Sequence, residues 1–303
     1  MSRRAALIGA GAILIGVVAT ACGVRDGTNG EPPPPTGPTP VITAAAQISL
    51  PLDGHRLTLE EDLLLQRAEG HLVVVCMARF GVTYEPPEPR PGLSSAGHER
   101  LYGLLDPEIA ANWGYTGENS AGLGTAQARP PAPERHEELL TGSPERGTGP
   151  DGGCVGEARR DLAAGSQQAD ENLIIDLAYV AGVRAEADGR VRAAFARWSA
   201  CMAAAGFDYE DPWEPNNHPW PHDDGTVSRQ EKAVATADVR CKHETNLAGV
   251  WNTVAAAHQR RLIEQHGNLL SALERARGHR LERAAGIMSD ADAERRRHGP
   301  VRR

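Results

Sequence analysis

Apolar residues return at three- and four-residue steps over most of this chain, and nowhere do they keep the two-residue rhythm of a strand for more than a few positions. The first clear run is Leu59, Leu63, Leu64, Ala68, Leu72, Val75 and Met77, which predicts a helix over 59–80. Thr58-Leu59-Glu60-Glu61 supplies a capping box for its start, and Gly81 a glycine to end it. Residues 82–152 carry the proline-rich stretches EPPEPRPG and RPPAP, with short helical spacing at 98–105, 107–113 and 134–140, and read as a long loop-rich insertion. Helical spacing resumes at 156–164, at 169–185 (Leu173, Ile174, Leu177, Val180, Ala181) and at 190–205, which again stops at a glycine, Gly206. Ser228-Arg229-Gln230-Glu231 is a second capping box. Behind it Val234, Ala237, Cys241, Leu247, Trp251, Val254, His258, Leu262, Leu269, Leu273 and Leu281 mark one long stripe, with Gly267 and Gly278 as places where it can break. The pattern predicts a mainly α fold: a helical domain over 57–288 ending in a long helix, then a basic tail over 289–303.

The N-terminus follows a different pattern. Arg3 and Arg4 precede an uncharged apolar run over 5–21, which ends in Ala19-Thr20-Ala21-Cys22. This reads as a signal peptide over 1–21, to be set apart from the fold. Cys22 at its boundary resembles a bacterial lipobox, whose cysteine is diacylated and becomes the first residue after cleavage; Ala19 departs from the more usual Leu. Ser2-Arg3-Arg4 has a weaker likeness to a twin-arginine signal, with Ala5-Ala6 in place of the usual Phe-Leu. Two acyl chains hold a protein stably on a bilayer, so the expectation is a lipid-anchored protein on the extracytoplasmic face of the cell membrane. Residues 22–56 read as its tether: the stretch from 23 to about 50 is rich in Pro, Gly and Thr and reaches up to roughly 80 Å if extended as polyproline.

One signature occurs twice. Cys76-Met77-Ala78-Arg79-Phe80-Gly81-Val82-Thr83-Tyr84-Glu85 and Cys201-Met202-Ala203-Ala204-Ala205-Gly206-Phe207-Asp208-Tyr209-Glu210 share the register C-M-A-x-x-G-x-x-Y-E. Each is followed by a further cysteine with a glutamate three residues on, Cys154 with Glu157 and Cys241 with Glu244. Repeat units over about 57–165 and 188–250 are implied. Of five cysteines in the chain, Cys22 is assigned to lipid, which leaves an even number in an oxidising compartment. Four cysteines allow three pairings, and the repeat selects Cys76–Cys154 and Cys201–Cys241, because duplicated units keep equivalent bridges. The expected architecture is therefore two related, disulfide-stapled helical units with the loop-rich insertion and the long C-terminal helix.

The segments CMARFG, YGLLDPEIAANWGY (102–115), HEELLTG (136–142), GGCVGEARRDL (152–162) and RWSACMAAAGFDYEDPW (197–213) together resemble a group of uncharacterised lipoproteins and secreted proteins of Streptomyces-type actinobacteria. The resemblance covers roughly residues 58–260. It implies an extracytoplasmic, disulfide-bonded, mainly helical protein and brings no activity with it.

Composition narrows the chemistry mainly by exclusion. The formal net charge is −8, and it becomes more negative once Arg3 and Arg4 leave with the signal, which speaks against a nucleic-acid partner. No G-x-S-x-G elbow, phosphate-binding glycine loop or C-x-x-C pair occurs, so no catalytic residue, cofactor or metal centre is assigned. His136-Glu137 and His243-Glu244 begin like zinc-protease motifs, but Leu140 and Leu247 stand where the second His belongs. The densest candidate is the loop 209–225, which gathers Trp213, His218, Trp220, His222 and Asp223. Its tryptophans offer stacking faces for a sugar or peptide, and His218, His222 and Asp223 offer donors for zinc or copper. Against this, Pro219 and Pro221 bar a helix that would align the two His, and the tryptophans can equally pack the loop onto the body. The C-terminal 44 residues hold 11 Arg against 6 acidic residues and no aromatic, a composition suited to anionic head groups or wall polymer as well as to a solvated helix end. The function expected from these observations is a membrane-anchored binding or interaction module of the cell envelope. Its partners are the membrane through the lipid, and a cell-envelope protein or wall polymer. The alternative is a metal-binding protein or metal-dependent enzyme that uses the 209–225 loop.

Overall fold

The long apolar stripe at the C-terminus forms the spine on which the other helices pack. In a computed structural model that describes residues 32–90, 92, 98, 100–116, 134–142, 149–223 and 226–298, the helices are α1 (Leu59–Arg79), α2 (Pro107–Trp113), α3 (Glu134–Thr141), α4 (Gly153–Ala163), α5 (Leu173–Ala187), α6 (Gly189–Ala204), the short α7 (Trp213–Asn217), α8 (Arg229–Thr245) and α9 (Leu247–His298). A two-residue antiparallel ribbon, β1 (His222–Asp223) with β2 (Thr226–Val227), lies between α7 and α8. Residues from Pro33 onward make up one compact unit. Among the described residues no helix is long and apolar enough to cross a membrane. The expected signal peptide, Cys22 and the last residues of the basic tail, 299–303, lie outside the described residues.

Three apolar contacts lie along successive parts of α9. Near its start, Leu247, Trp251 and Val254 join Val191 and Trp198 of α6 and Val234 and Val239 of α8 in the largest core cluster. In its middle, Leu262, Leu270 and Leu273 pack on Leu173, Ile174 and Leu177 of α5. Further on, Ala284 meets Leu65 and Ala68 of α1 and Leu162 of α4. With aromatics at only 4 % of residues, Ala at 68, 181, 194 and 284, all fully buried, lets the helices approach closely, and Leu and Val fill the remaining volume.

Both capping boxes act at helix starts, with one difference. Thr58 Oγ1 accepts from the Glu61 amide, and the Glu61 carboxylate accepts from the Thr58 amide at 2.8 Å, so both halves are made. Ser228 accepts from the Glu231 amide at 3.1 Å, but the Glu231 side chain does not return. It accepts instead from the amides of Tyr115 and Thr116 and the Thr116 hydroxyl at 2.7–3.0 Å, tying the insertion to α8.

Three expectations are corrected. The described residues of the expected 98–105 helix, 98 and 100–105, are not helical: Gly103 has φ +73°, and the carbonyls of Leu104 and Leu105 accept from Lys242 Nζ and bond His243 Nε2 rather than an intrahelical amide. The long stripe is two helices, because Asn246 turns left-handed (φ 48°) between α8 and α9, whereas Gly267 and Gly278 remain inside α9, with a local irregularity at His266. The stretch read as a free tether through residue 56 is held from Pro34 onward. Ile42, Ile48, Leu50 and Leu52 are buried, Ala45–Gln47 and Pro51–His55 form 3-10 turns, and helix side chains bind the backbone of this strap. Arg190 donates to the Pro34 carbonyl (3.0 Å), Asn246 donates to Pro40 (2.9 Å) and accepts from the Ile42 amide (3.2 Å), Gln259 accepts from the Leu52 amide (3.0 Å) and Arg277 donates to His55 (2.7 Å). These bonds supply the partners that an extended segment cannot supply to itself.

Candidate functional site

The repeated signature forms the same structure in both places. Met77 and Met202 are fully buried, and the glycines four residues on, Gly81 and Gly206, take φ +72° and +90°. In the first copy the Val82 amide donates to the Met77 carbonyl and Gly81 to Ala78; in the second, Phe207 donates to Met202 and Gly206 to Ala203, all at 2.9–3.1 Å. This double bond is a Schellman cap, and the left-handed residue it needs is the reason for glycine at both sites.

Both expected disulfides are in place, Cys76–Cys154 and Cys201–Cys241, each with Cα atoms 5.6 Å apart. The glutamate three residues after the second cysteine approaches the first cysteine's sulfur in each unit: Glu157 lies 4.0 Å from Cys76, and Glu244 lies 3.5 Å from Cys201. The helix pairs differ in direction. Between α1 and α4 the contacts run in opposite senses, from Cys76–Cys154 back to Glu69–Arg159. Between α6 and α8 they advance together, from Trp198–Asp238 to Cys201–Cys241. Cys154 accordingly opens its helix while Cys241 lies near the end of its own. The likeness of the two units therefore resides in the capped helix end and its staple rather than in the whole helix pair.

The loop 209–225 is drawn into the body by its aromatics. Trp213 packs edge-on against Trp251 of α9 at 5.4 Å, beside Phe195 (4.9 Å) and Tyr102 (5.1 Å) on the same ring. Trp220 is buried, stacks on Tyr115 at 6.0 Å and donates from Nε1 to the Pro215 carbonyl at 2.9 Å. Its ring is a wall of the core rather than a free stacking face. His218 is exposed and meets the Trp220 ring edge-on at 4.4 Å. His222 and Asp223 form β1, and their side chains lie outside the described residues. Among the described residues no group of three or more His, Cys, Asp or Glu stands together as a metal site.

Sequence reasoning missed a buried polar cluster at the centre of the largest core. Asp238 and Lys242, one turn apart on α8, have side chains without exposure and lie 2.9 Å apart. Asp238 also accepts from Trp198 Nε1 (2.9 Å) and from the Tyr115 hydroxyl (3.1 Å), and Lys242 donates to Leu104. Burial pushes the Asp238 carboxyl above the usual carboxylate range, against the pull of Lys242, Tyr115 and Trp198. Burial beside Asp238 likewise pushes the Tyr115 hydroxyl up, so it stays a donor. The sequence signal for this cluster is two opposite charges four apart inside an otherwise apolar stripe. The cluster joins α6, α8 and the insertion, and every polar group in it is turned inward, which gives it a holding role rather than a catalytic one.

No protein-family model, curated protein or solved structure matches this chain, so its functional reading rests on these residues alone.

Proposed function

We propose that this chain is an extracytoplasmic lipoprotein, anchored by diacylated Cys22, whose helical body is a binding module of the cell envelope. One observation carries the reading: of the five cysteines, four are spent on two disulfides, and the one left over closes the N-terminal apolar run at a lipobox-like Ala-Thr-Ala-Cys. Two disulfides suit an oxidising compartment, and a signal ending in cysteine suits lipid attachment in that compartment. The inward turn of the Asp238–Lys242 cluster suits a rigid body that binds. On this reading Cys22 and Pro34 are separated by 12 residues, a contour of at most roughly 40 Å, so the body works near the bilayer. Its partners are the membrane through the lipid, and a protein or wall polymer of the envelope.

The test is acyl labelling in a bacterial host that processes lipoproteins. The full chain should take up labelled fatty acid, lose residues 1–21 and partition with detergent. Cys22→Ala should abolish the label while both disulfides still form. Unlabelled wild-type protein, or label that persists in the Cys22→Ala variant, overturns the reading.

A further inference from the structure

A cleft of about 410 Å³ opens between the strap and α9, within the ~300–1,000 Å³ typical of small-ligand sites. On the strap side its wall is formed by Pro38, Pro40 and Pro51, whose rings offer rigid apolar surface. On the helix side Asn252, Ala256 and Arg260 follow one another at four-residue steps, so they share one face of α9 and span roughly 12 Å along it.

The two polar residues of that face have donors to spare. Asn252 Oδ1 is taken by the Tyr102 hydroxyl at 3.1 Å, but its amide nitrogen has only a long bond, 3.4 Å, to the Ser49 carbonyl, which leaves one N–H of the pair without a partner. Arg260 is exposed at the rim, and no ion pair or hydrogen bond of its guanidinium is present among the described residues. Further along the same helix, Arg277 is engaged by Glu171 and His55, and Arg280 by Glu171. An uncommitted guanidinium two turns from an amide with one N–H to spare, with proline rings opposite, matches a ligand that carries a carboxylate at one end, a carbonyl about two turns away and apolar surface between.

We propose that this cleft binds a short peptide or peptide-like molecule through its terminal carboxylate. Arg260 receives the carboxylate, the Asn252 amide donates to a backbone carbonyl, and the ligand's side chains lie against Pro38, Pro40 and Pro51. In a protein whose formal net charge is −8, Arg260 supplies the local positive charge without which an anionic ligand would be repelled. The strap then has two roles: it closes the core over α9, and it forms one wall of the site.

This inference rests on the binding-module reading but not on lipid attachment, so the same measurement is made on the detergent-solubilised full chain and on its Cys22→Ala variant. Calorimetric titration uses tetra-alanine and tetra-alanine amide, which differ only in the terminal carboxylate; extended, tetra-alanine sets its first carbonyl about two helical turns from that carboxylate. Saturable binding of tetra-alanine is expected, with the amide weaker by ~10-fold or more, because it lacks the charge that Arg260 receives. Arg260→Gln, at an exposed position that folding does not need, should reduce tetra-alanine to the affinity of its amide, and Asn252→Ala should weaken both probes alike. Absence of saturable tetra-alanine binding, equal binding of acid and amide, or an Arg260→Gln variant that still prefers the acid would each overturn the proposal, whatever the acyl-labelling result.

Discussion

The Asp238 carboxylate lies 2.9 Å from Nζ of Lys242, and neither side chain has any solvent exposure. An ion pair taken wholly out of water recovers its desolvation cost only when its remaining hydrogen-bonding capacity is filled. Asp238 meets that condition, because it also accepts from Trp198 and Tyr115, and Lys242 places a second N–H on Leu104. Removing either partner leaves a buried charge alone, so Asp238→Leu and Lys242→Met should each destabilise by about 3–5 kcal/mol in urea unfolding. The paired replacement Asp238→Leu with Lys242→Met should cost less than the sum of the two. It should not be neutral, because Trp198 Nε1 and the Tyr115 hydroxyl lose their acceptor at about 1–3 kcal/mol each. Additive single and double effects would refute the coupling.

Asn246 provides a second test, because it performs two jobs at one residue. It adopts φ 48° between α8 and α9, and its carboxamide pairs with both Pro40 and Ile42 of the strap. Asn246→Ala strains the left-handed turn and frees two backbone groups, whereas Asn246→Gly keeps the turn and loses only the strap bonds. The glycine variant should lower stability by about 1–2 kcal/mol and raise the rate at which limited proteolysis cuts within residues 33–55. Gly249→Ala should open the same segment, because a Cβ there collides with the Pro40 carbonyl and the Asn246 side chain. Unchanged cleavage at the strap in both variants would mean that it is held by its apolar residues alone.

The strap also marks the limit of what the sequence reveals. Helix boundaries were legible where a cap carries its own chemistry: Thr58 with Glu61 at the start of α1, and Gly81 and Gly206 at the Schellman ends. Asn246 was not legible as a break, because nothing in its neighbourhood distinguishes it from an exposed helix position until its side chain has a strap to bind. Ile48, Leu50 and Leu52 alternate for only three apolar positions and Ile42 stands apart from them, because 3-10 turns and extended backbone place them inward one at a time, so proline content dominated the reading. Trp213 and Trp220 drew notice as a site because aromatics are scarce here, and that scarcity also explains why the core takes them up. The Arg260 cleft was illegible because half of it is strap.

The disulfides close loops of 78 and 40 residues, and chain-entropy arguments give each about 4 kcal/mol. Peptide mapping without reductant should recover Cys76 linked to Cys154 and Cys201 linked to Cys241. The two bridges should differ in what their loss affects. Cys201→Ala with Cys241→Ala loosens the largest core, whereas Cys76→Ala with Cys154→Ala loosens only the smaller cluster around Met77 and Leu139. Hydrogen exchange should therefore rise across α6, α8 and the start of α9 in the first double variant, and mainly across α1, α3 and α4 in the second. Crossed bridges, or identical exchange in both variants, would contradict this arrangement.

Acid stability should be governed by a buried pair at the start of α6. Asp188 caps that helix and is held by Arg190, and His258 of α9 lies 3.7 Å away with both ring nitrogens buried and unbonded. Burial holds the His258 imidazole below its ordinary range; Arg261 and Arg184 push the same way, and Asp188 opposes them. Its folded form therefore binds fewer protons than its unfolded form, so the stability it contributes is present above the unfolded value of ~6.5 and falls as pH drops below it. The hydrogen bonds from Arg190 hold the Asp188 carboxyl below its ordinary range, so its contribution is present above ~3.9 and is lost as pH drops further. Urea midpoints should accordingly decline in two steps, one between pH ~7 and ~5 and another below ~4. His258→Leu should flatten the first step and leave the second. Asp188→Asn should lower stability at neutral pH, because the Arg190 side chain loses its ionic partner, and should flatten the second step. A wild-type midpoint that is level from pH ~7 to ~5, or a first step that survives His258→Leu, would show that another group governs the acid response.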